Sequence, residues 1–324
     1  MSHRRFAALG AALMLWCGGL WAQAVSGAIE AAPESAQPTL EADHNAEPLK
    51  PSSWLYCEDG SDRSHGWLRH FASDEIASSV FGPHCDVGWH KPIFILPYSY
   101  SRDYEGKRTE TLFQVSAKLR PIGLPIYFAY SQRSFWSLYD ESRSRPFRET
   151  VYNPEVFWRW FPPQDLGGLG GDLKRDFIWG ADLGYEHESN GQDIPDSRSW
   201  DRLYVAPFIE RGGTAVQLKV WFRFPEDRKK DENDARGDDN PDIERHYGYG
   251  ELHLYRRIGD RRRLHLMLRG NPSTGHGALQ LQHDWRIADG DLFWHAYLWH
   301  GYGESLMDYD DSVTRIGVGF SMSR

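Results

Sequence analysis

From about His90 onward, apolar and polar residues alternate with a period of two, in segments close to the ~10 residues that a tilted membrane strand needs. In 214–224, Val216, Leu218, Val220, Phe222 and Phe224 alternate with Gln217, Lys219, Trp221 and Arg223. Leu264, Leu266 and Leu268 alternate with His265, Met267 and Arg269, and Leu279 and Leu281 with Gln280 and Gln282. The last segment sets Ile316, Val318 and Phe320 against Arg315, Gly317 and Gly319. Successive strand residues point to opposite faces, so each segment has one apolar and one polar face. Together the segments predict about twelve strands, an even count as a single-chain bacterial barrel requires.

The connections are of two kinds. Arg211-Gly212-Gly213, Gly259-Asp260-Arg261 and Ala288-Asp289-Gly290-Asp291 read as compact turns, whereas 101–108, 139–146, 190–199, 227–246 and 307–313 read as longer polar loops. Short turns at one end and long loops at the other is the polarity of an outer-membrane barrel, with its long loops outside the cell. The Gly-rich stretch 162–174 is the exception, a long connection on the short-turn side.

Alternation alone does not say whether the apolar face meets lipid or a core, so a soluble β-barrel or sandwich fits the same pattern. Composition favours the membrane. The chain carries 14 Trp, 16 Tyr and 16 Phe, rich for a soluble domain and ordinary for a barrel with two interfacial aromatic girdles. Arg4 and Arg5, the apolar run Phe6 to Leu20 and Ala22-Gln23-Ala24 predict a secretory signal over 1–24, cleaved before Val25. Beyond it no apolar run reaches the ~20 residues of a membrane helix. A net charge of −9 gives no support for a nucleic-acid partner.

Residues 25–89 are expected to form a linker and a small periplasmic extension. The stretch 25–52 is rich in Ala, Glu and Pro, and 53–89 holds Cys57 and Cys85. In an exported protein two cysteines are by default one disulfide, stabilising by roughly 3 kcal/mol through loop closure. The expected fold is therefore all-β, an antiparallel transmembrane barrel over 90–324 with an N-terminal periplasmic extension.

Splitting 175–189 by parity exposes a candidate site. Phe177, Trp179, Ala181, Leu183 and Tyr185 share the odd, lipid-facing side with His187 and Ser189, while Asp176, Asp182, Glu186 and Glu188 share the even, luminal side. A His and a Ser are poor lipid-facing residues unless they have a role there. The next strand repeats the oddity: Asp201 has the parity of Leu203, Val205, Pro207 and Ile209. Antiparallel pairing through the loop 190–199 can bring Asp201 beside His187. Ser189 as nucleophile, His187 as general base and Asp201 as the group orienting the imidazole would make a hydrolytic triad. The Gly191 N–H, just beyond Ser189, could serve the oxyanion.

The motifs His187-Glu188-Ser189-Asn190-Gly191, Ser197-Arg198-Ser199-Trp200 and Arg202-Leu203-Tyr204 follow in that order. Behind them come Asp238-Asp239-Asn240-Pro241-Asp242-Ile243, Gly301-Tyr302-Gly303-Glu304-Ser305-Leu306 and Arg315-Ile316-Gly317-Val318-Gly319, with Gln132 and Pro146-Phe147-Arg148-Glu149-Thr150 upstream. In these motifs, over about 90–324, the chain resembles the outer-membrane phospholipase A family, calcium-dependent barrels that hydrolyse phospholipid acyl esters. The resemblance implies phospholipase A1/A2 activity in the outer membrane, with the active site toward the outer leaflet. Ser189 and His187 match the family's nucleophile and base, and Asp201 stands where the family usually has Asn.

The resemblance also implies a homodimer with calcium at its interface. One protomer would supply Ser197 and the carbonyl of Gln192, which replaces the family's usual Arg, and the second copy would supply Ser144. Neutral oxygen donors suit calcium. A second calcium position in the monomer would use Asp239, whose usual acidic loop partner is here Ile194, beside Asp193. A solvated loop is the bland reading of Asp238 and Asp239. Gln132 has the parity of Ile126, Phe128 and Tyr130, and by resemblance would hydrogen-bond across the dimer interface; a luminal network is its alternative. A non-enzymatic barrel, such as a narrow pore or structural protein, and an esterase for other acyl substrates compete with the phospholipase reading.

Overall fold

The computed structural model describes residues 80–81, 86–102, 109–121, 124–139, 147–162, 177–231, 234, 237–288 and 291–322. The predicted signal, the linker, Cys57, Cys85 and Ser144 lie outside these residues, as do Arg175 and Asp176.

The strands are β1 (Asp86–Gly88), β2 (Ile93–Ser101), β3 (Thr109–Arg120), β4 (Ile126–Trp136), β5 (Phe147–Trp160), β6 (Phe177–Ser189) and β7 (Ser199–Arg211). They continue with β8 (Thr214–Arg223), β9 (Gly250–Ile258), β10 (Arg262–Asn271), β11 (His276–Arg286), β12 (Leu292–Tyr302) and β13 (Ser312–Met322). One short helix, α1 (Ile243–Tyr247), sits between β8 and β9. From β2 onward each strand pairs antiparallel with its sequence neighbour, and β13 returns to β2. The result is a closed barrel of twelve strands, which leaves no free sheet edge. The short β1 adds to β3 beyond the end of β2.

Parity decides the faces as expected. Ile95, Val115, Phe128, Leu183, Leu203, Val205, Leu218, Phe222, Ile316 and Val318 point outward and are exposed, Val318 to 63%. A continuous apolar surface around a barrel requires hydrocarbon rather than water outside it. Aromatics flank the belt: Trp160 meets Trp179 and Trp294 meets Phe320 at the short-turn end, and Tyr98 meets Tyr139 at the other. The tight turn after β7 uses Gly212 and Gly213 at φ 56° and 72°, a region where a side chain is strained. On the long-loop end, the 272–275 link between β10 and β11 is unexpectedly short.

The inward face is filled. Arg159 grips Asp182 with two hydrogen bonds of 2.7 and 2.8 Å, Arg315 bridges Glu304 and Glu110, and Lys219 meets Glu186. Such buried charges persist because each has a partner. On β6 the inward positions include Gly184, where a Cβ would lie 2.5 Å from the Tyr204 ring, so the glycine makes room for that ring. Residues 80–81, within the expected periplasmic extension, pack at the short-turn end of the barrel interior. Glu210 accepts hydrogen bonds from the Val80 and Phe81 N–H groups, and Phe81 stacks on Phe208 at 4.5 Å. His90, at the expected start of the barrel, reaches inward to Glu155 at 2.8 Å.

Candidate active site

β6 and β7 run side by side through the whole β6 ladder, from Phe177 opposite Arg211 to Ser189 opposite Ser199. Within that register His187 stands directly opposite Asp201, and the imidazole Nδ1 lies 2.9 Å from Asp201 Oδ1. With Nδ1–H as the donor, Nε2 is left to act as an acceptor. Ser189, two residues beyond on the same face, sits at the long-loop rim; among the described residues its hydroxyl makes no hydrogen bond. All three side chains are partly exposed on the apolar side of the sheet, as parity predicts.

The rows of the sheet add residues that parity alone did not join. Gln132 on β4 pairs with Tyr152 on β5, Tyr152 with Ser189, and Ser189 with Ser199. Gln132 lies on the outward face, where it accepts from Tyr130 Oη at 2.9 Å and donates to Ser134 Oγ at 3.3 Å. Its luminal alternative is thereby set aside. Nothing in the local sequence joins Tyr152 or Tyr185 to this site. Tyr185 Oη donates to Asp201 Oδ1 at 2.5 Å, so that one oxygen accepts from both Tyr185 and His187.

The luminal side braces the strand from behind. Glu188 Oε2 accepts from Trp200 Nε1 at 2.9 Å and from Arg202 at 2.8 Å, and Asn153 donates to the His187 carbonyl at 2.9 Å. The loop after Ser189 is organised by Asn190, whose Oδ1 accepts from the Gln192 and Arg198 N–H groups at 3.2 and 3.0 Å. Its Nδ2 donates to the Asp196 carbonyl and to Glu149. Glu149 in turn accepts from the N–H groups of Leu306 and Met307, tying this loop to the one after β12. The family motifs contain Asn190 and Glu149, but their contacts are long-range and no local pattern reveals them.

Gly191 follows at φ 60°, a left-handed conformation that favours glycine, and a Cβ there would lie 3.2 Å from the Tyr152 ring. Among the described residues nothing accepts from its N–H. A hydroxyl, an imidazole backed by a carboxylate, and a free N–H beside them are the parts that acyl transfer uses.

The calcium donors expected here are hydroxyl and carbonyl oxygens rather than a cluster of His, Cys or carboxylates. Ser197 and Gln192 share the loop 190–198, and Ser197 Oγ lies 2.6 Å from Asp239 Oδ2. The Ser197 hydroxyl and the Gln192 carbonyl are hard oxygen donors of the kind that suits calcium. The second position has a competing cation in the structure. Lys229 Nζ ion-pairs with the other Asp239 oxygen, Oδ1, and Ile194 offers no second carboxylate, so Asp239 already has its positive partner. Asp238 is likewise paired, with Arg223. Nearby, burial and the Asp238 charge push the Glu226 carboxyl above its ordinary range.

The family model described as Phospholipase A1 matches residues 88–322. A Neisseria meningitidis serogroup B protein assigned provisionally as a phospholipase A1 is 38% identical over 71% of this chain and 63% of its own length. Phospholipase A1 of Escherichia coli is 34% identical over 60% of this chain and 61% of its own length. The chain thus spans about six tenths of the length of these curated relatives. Among solved structures, outer membrane phospholipase A from Escherichia coli superposes with a TM-score of 0.62 at 28% identity, covering 73% of this chain and 98% of that one. The Salmonella typhi outer membrane phospholipase dimer with bound calcium gives 0.61 at 27% identity, covering 72% and 91%.

Proposed function

The chain belongs to the phospholipase A1 family, and from that premise we propose that it hydrolyses acyl esters of phospholipids and lysophospholipids in a bacterial outer membrane. The observation that carries the reading is the 2.9 Å contact of His187 with Asp201 on the lipid-facing side, with Ser189 on the same face. A pore has no use for that trio, and paired charges such as Arg159–Asp182 and Arg315–Glu110 cross the barrel interior.

Ser189 Oγ attacks the acyl carbonyl carbon while His187 Nε2 takes the hydroxyl proton. The negative charge that develops on the carbonyl oxygen meets the N–H of Gly191. Collapse breaks the ester bond, and the departing alcohol of the lysolipid takes the proton back from His187. Water then attacks the acyl-enzyme with the same imidazole as base, releasing the fatty acid and restoring Ser189. Asp201 holds the ring by Nδ1 and stabilises the imidazolium through each transfer. An outward site needs no passage for substrate, because the acyl chains already lie against the belt.

In this reading Ser197, the Gln192 carbonyl and Ser144 of a second copy would hold calcium, which would supply positive charge to help stabilise the oxyanion. Gln132 serves the same dimer, where a polar group on a lipid-facing surface gains a partner. The position of the site at the long-loop end supports an outer-leaflet orientation.

The decisive experiment measures fatty-acid release from phospholipid micelles, with calcium and with chelator, for the wild type and Ser189→Ala. The wild type is expected to release fatty acid with calcium alone. Equal release by both proteins would sink the enzymatic reading.

A further inference from the structure

We propose that Tyr185 is a positioning residue for the site, holding Asp201 against His187 through the hydrogen bond it donates to Oδ1. The inference rests on the assignment of His187, Ser189 and Asp201 proposed above.

Tyr185 precedes His187 by two positions on the same face of β6, and its cross-strand partner is Leu203. Asp201 is therefore diagonal to it, a separation that an aromatic side chain spans and a short one does not. The phenol uses that reach. Its hydroxyl lies 2.5 Å from Oδ1, the oxygen that also meets His187 Nδ1 at 2.9 Å. Two donors converging on one oxygen leave the carboxylate little freedom to turn.

The surroundings explain why a second donor matters. Asp201 shares its face with Leu203 and Val205, and the ring of Phe224 lies 6.1 Å from that of Tyr185. A carboxylate among apolar groups at a lipid rim loses water on several sides, and unmatched it would turn outward toward the solvated loops. The phenolic O–H replaces part of that water with a fixed donor, and hydrogen bonds to ionised acceptors are the stronger kind. A tyrosine serving only an aromatic girdle would aim its hydroxyl at headgroups or water. Here it points along the sheet to Asp201.

Among the described residues, the titratable groups facing Asp201 are His187 and Tyr185 from β6 and Glu226 beyond the end of β8. Among the described residues no hydrogen bond joins Glu226 to Asp201, so Tyr185 is the neutral donor of the set.

Tyr185→Phe removes the hydroxyl and keeps the ring on a lipid-exposed face, so the barrel should assemble; unaltered heat-modifiable migration on a detergent gel checks this. In the full chain with calcium and phospholipid micelles, kcat is expected to fall about tenfold with KM little changed, the scale of one charge-assisted hydrogen bond. The same substitution in an Asp201→Ala background should have no further effect, because the acceptor is gone. An equal loss in both backgrounds would overturn the proposal, as would full activity of Tyr185→Phe alone. A Ser189→Ala protein as active as wild type would instead remove the parent assignment, whatever Tyr185 does.

Discussion

His187 and Asp201 face each other across the β6–β7 ladder, Nδ1 to Oδ1 at 2.9 Å, on the lipid side of the barrel wall. Each residue lies two positions inside its strand, at either end of the 190–198 loop that joins them. Strand pairing alone makes the contact, so its geometry is as rigid as the sheet. The pair also shows why a charged third member is tolerated at the rim: Asp201 is anchored by two donors rather than left to solvent.

Substitutions at Asp201 separate geometry from charge. Asparagine keeps an oxygen for His187 and Tyr185 and loses the negative charge opposite the imidazolium, so Asp201→Asn should lower kcat by about tenfold. Alanine loses both, and a drop of about a hundredfold or more is expected. Steady-state hydrolysis of micellar phospholipid ranks the variants. An Asp201→Ala enzyme matching the wild type would exclude Asp201 from the site.

Calcium should act at Ser197 and not at Asp239. Because Lys229 already pairs with Asp239, calcium is expected to leave the unfolding midpoint of the monomeric wild type unchanged. Lys229→Gln frees that carboxylate, and its monomer should gain calcium-dependent stabilisation. Ser197→Ala should raise the calcium concentration needed for activity. A calcium-dependent shift in the wild-type monomer equal to that of Lys229→Gln would contradict the assignment.

Stability should fall in mild acid through His90. Burial lowers its pKa from 6.5 to about 4, against the opposing pull of Glu155 and with help from Lys91 and Lys118. The folded value lies below the unfolded one, so protons favour the unfolded chain. The contribution is whole above pH about 6.5 and is lost progressively as pH drops toward about 4. Thermal unfolding in detergent at about pH 7 and about pH 4.5 should show a smaller pH effect for His90→Gln than for the wild type. Identical pH effects would show that His90 does not carry this term.

Gln132 should matter to association rather than to chemistry in the monomer. Its amide sits on the outward face, held by Tyr130 and Ser134 within its own strand. Gln132→Ala is expected to reduce the dimer fraction seen by cross-linking in the presence of calcium, with barrel migration on gels unchanged. An unaltered dimer fraction would remove Gln132 from the interface.

The twelve-strand barrel and the outward side of His187, Ser189, Asp201 and Gln132 were determined by sequence. Both follow from a period-two rule, in which each residue's face depends on its place in its own strand. The family motifs added the chemistry of the residues on that face. Register was different. That His187 meets Asp201, that Gln132, Tyr152 and Ser189 share one row, and that Tyr185 reaches diagonally to Asp201 depend on how neighbouring strands slide together. Only the closed barrel decides that. The loops lie further still from local pattern: Asn190 and Glu149 join the loop after β6 to the loop after β12, and Lys229 pairs with Asp239 across a long connection. Parity is a property of one strand, whereas hydrogen bonds between distant loops exist only after the barrel has brought their ends to one rim.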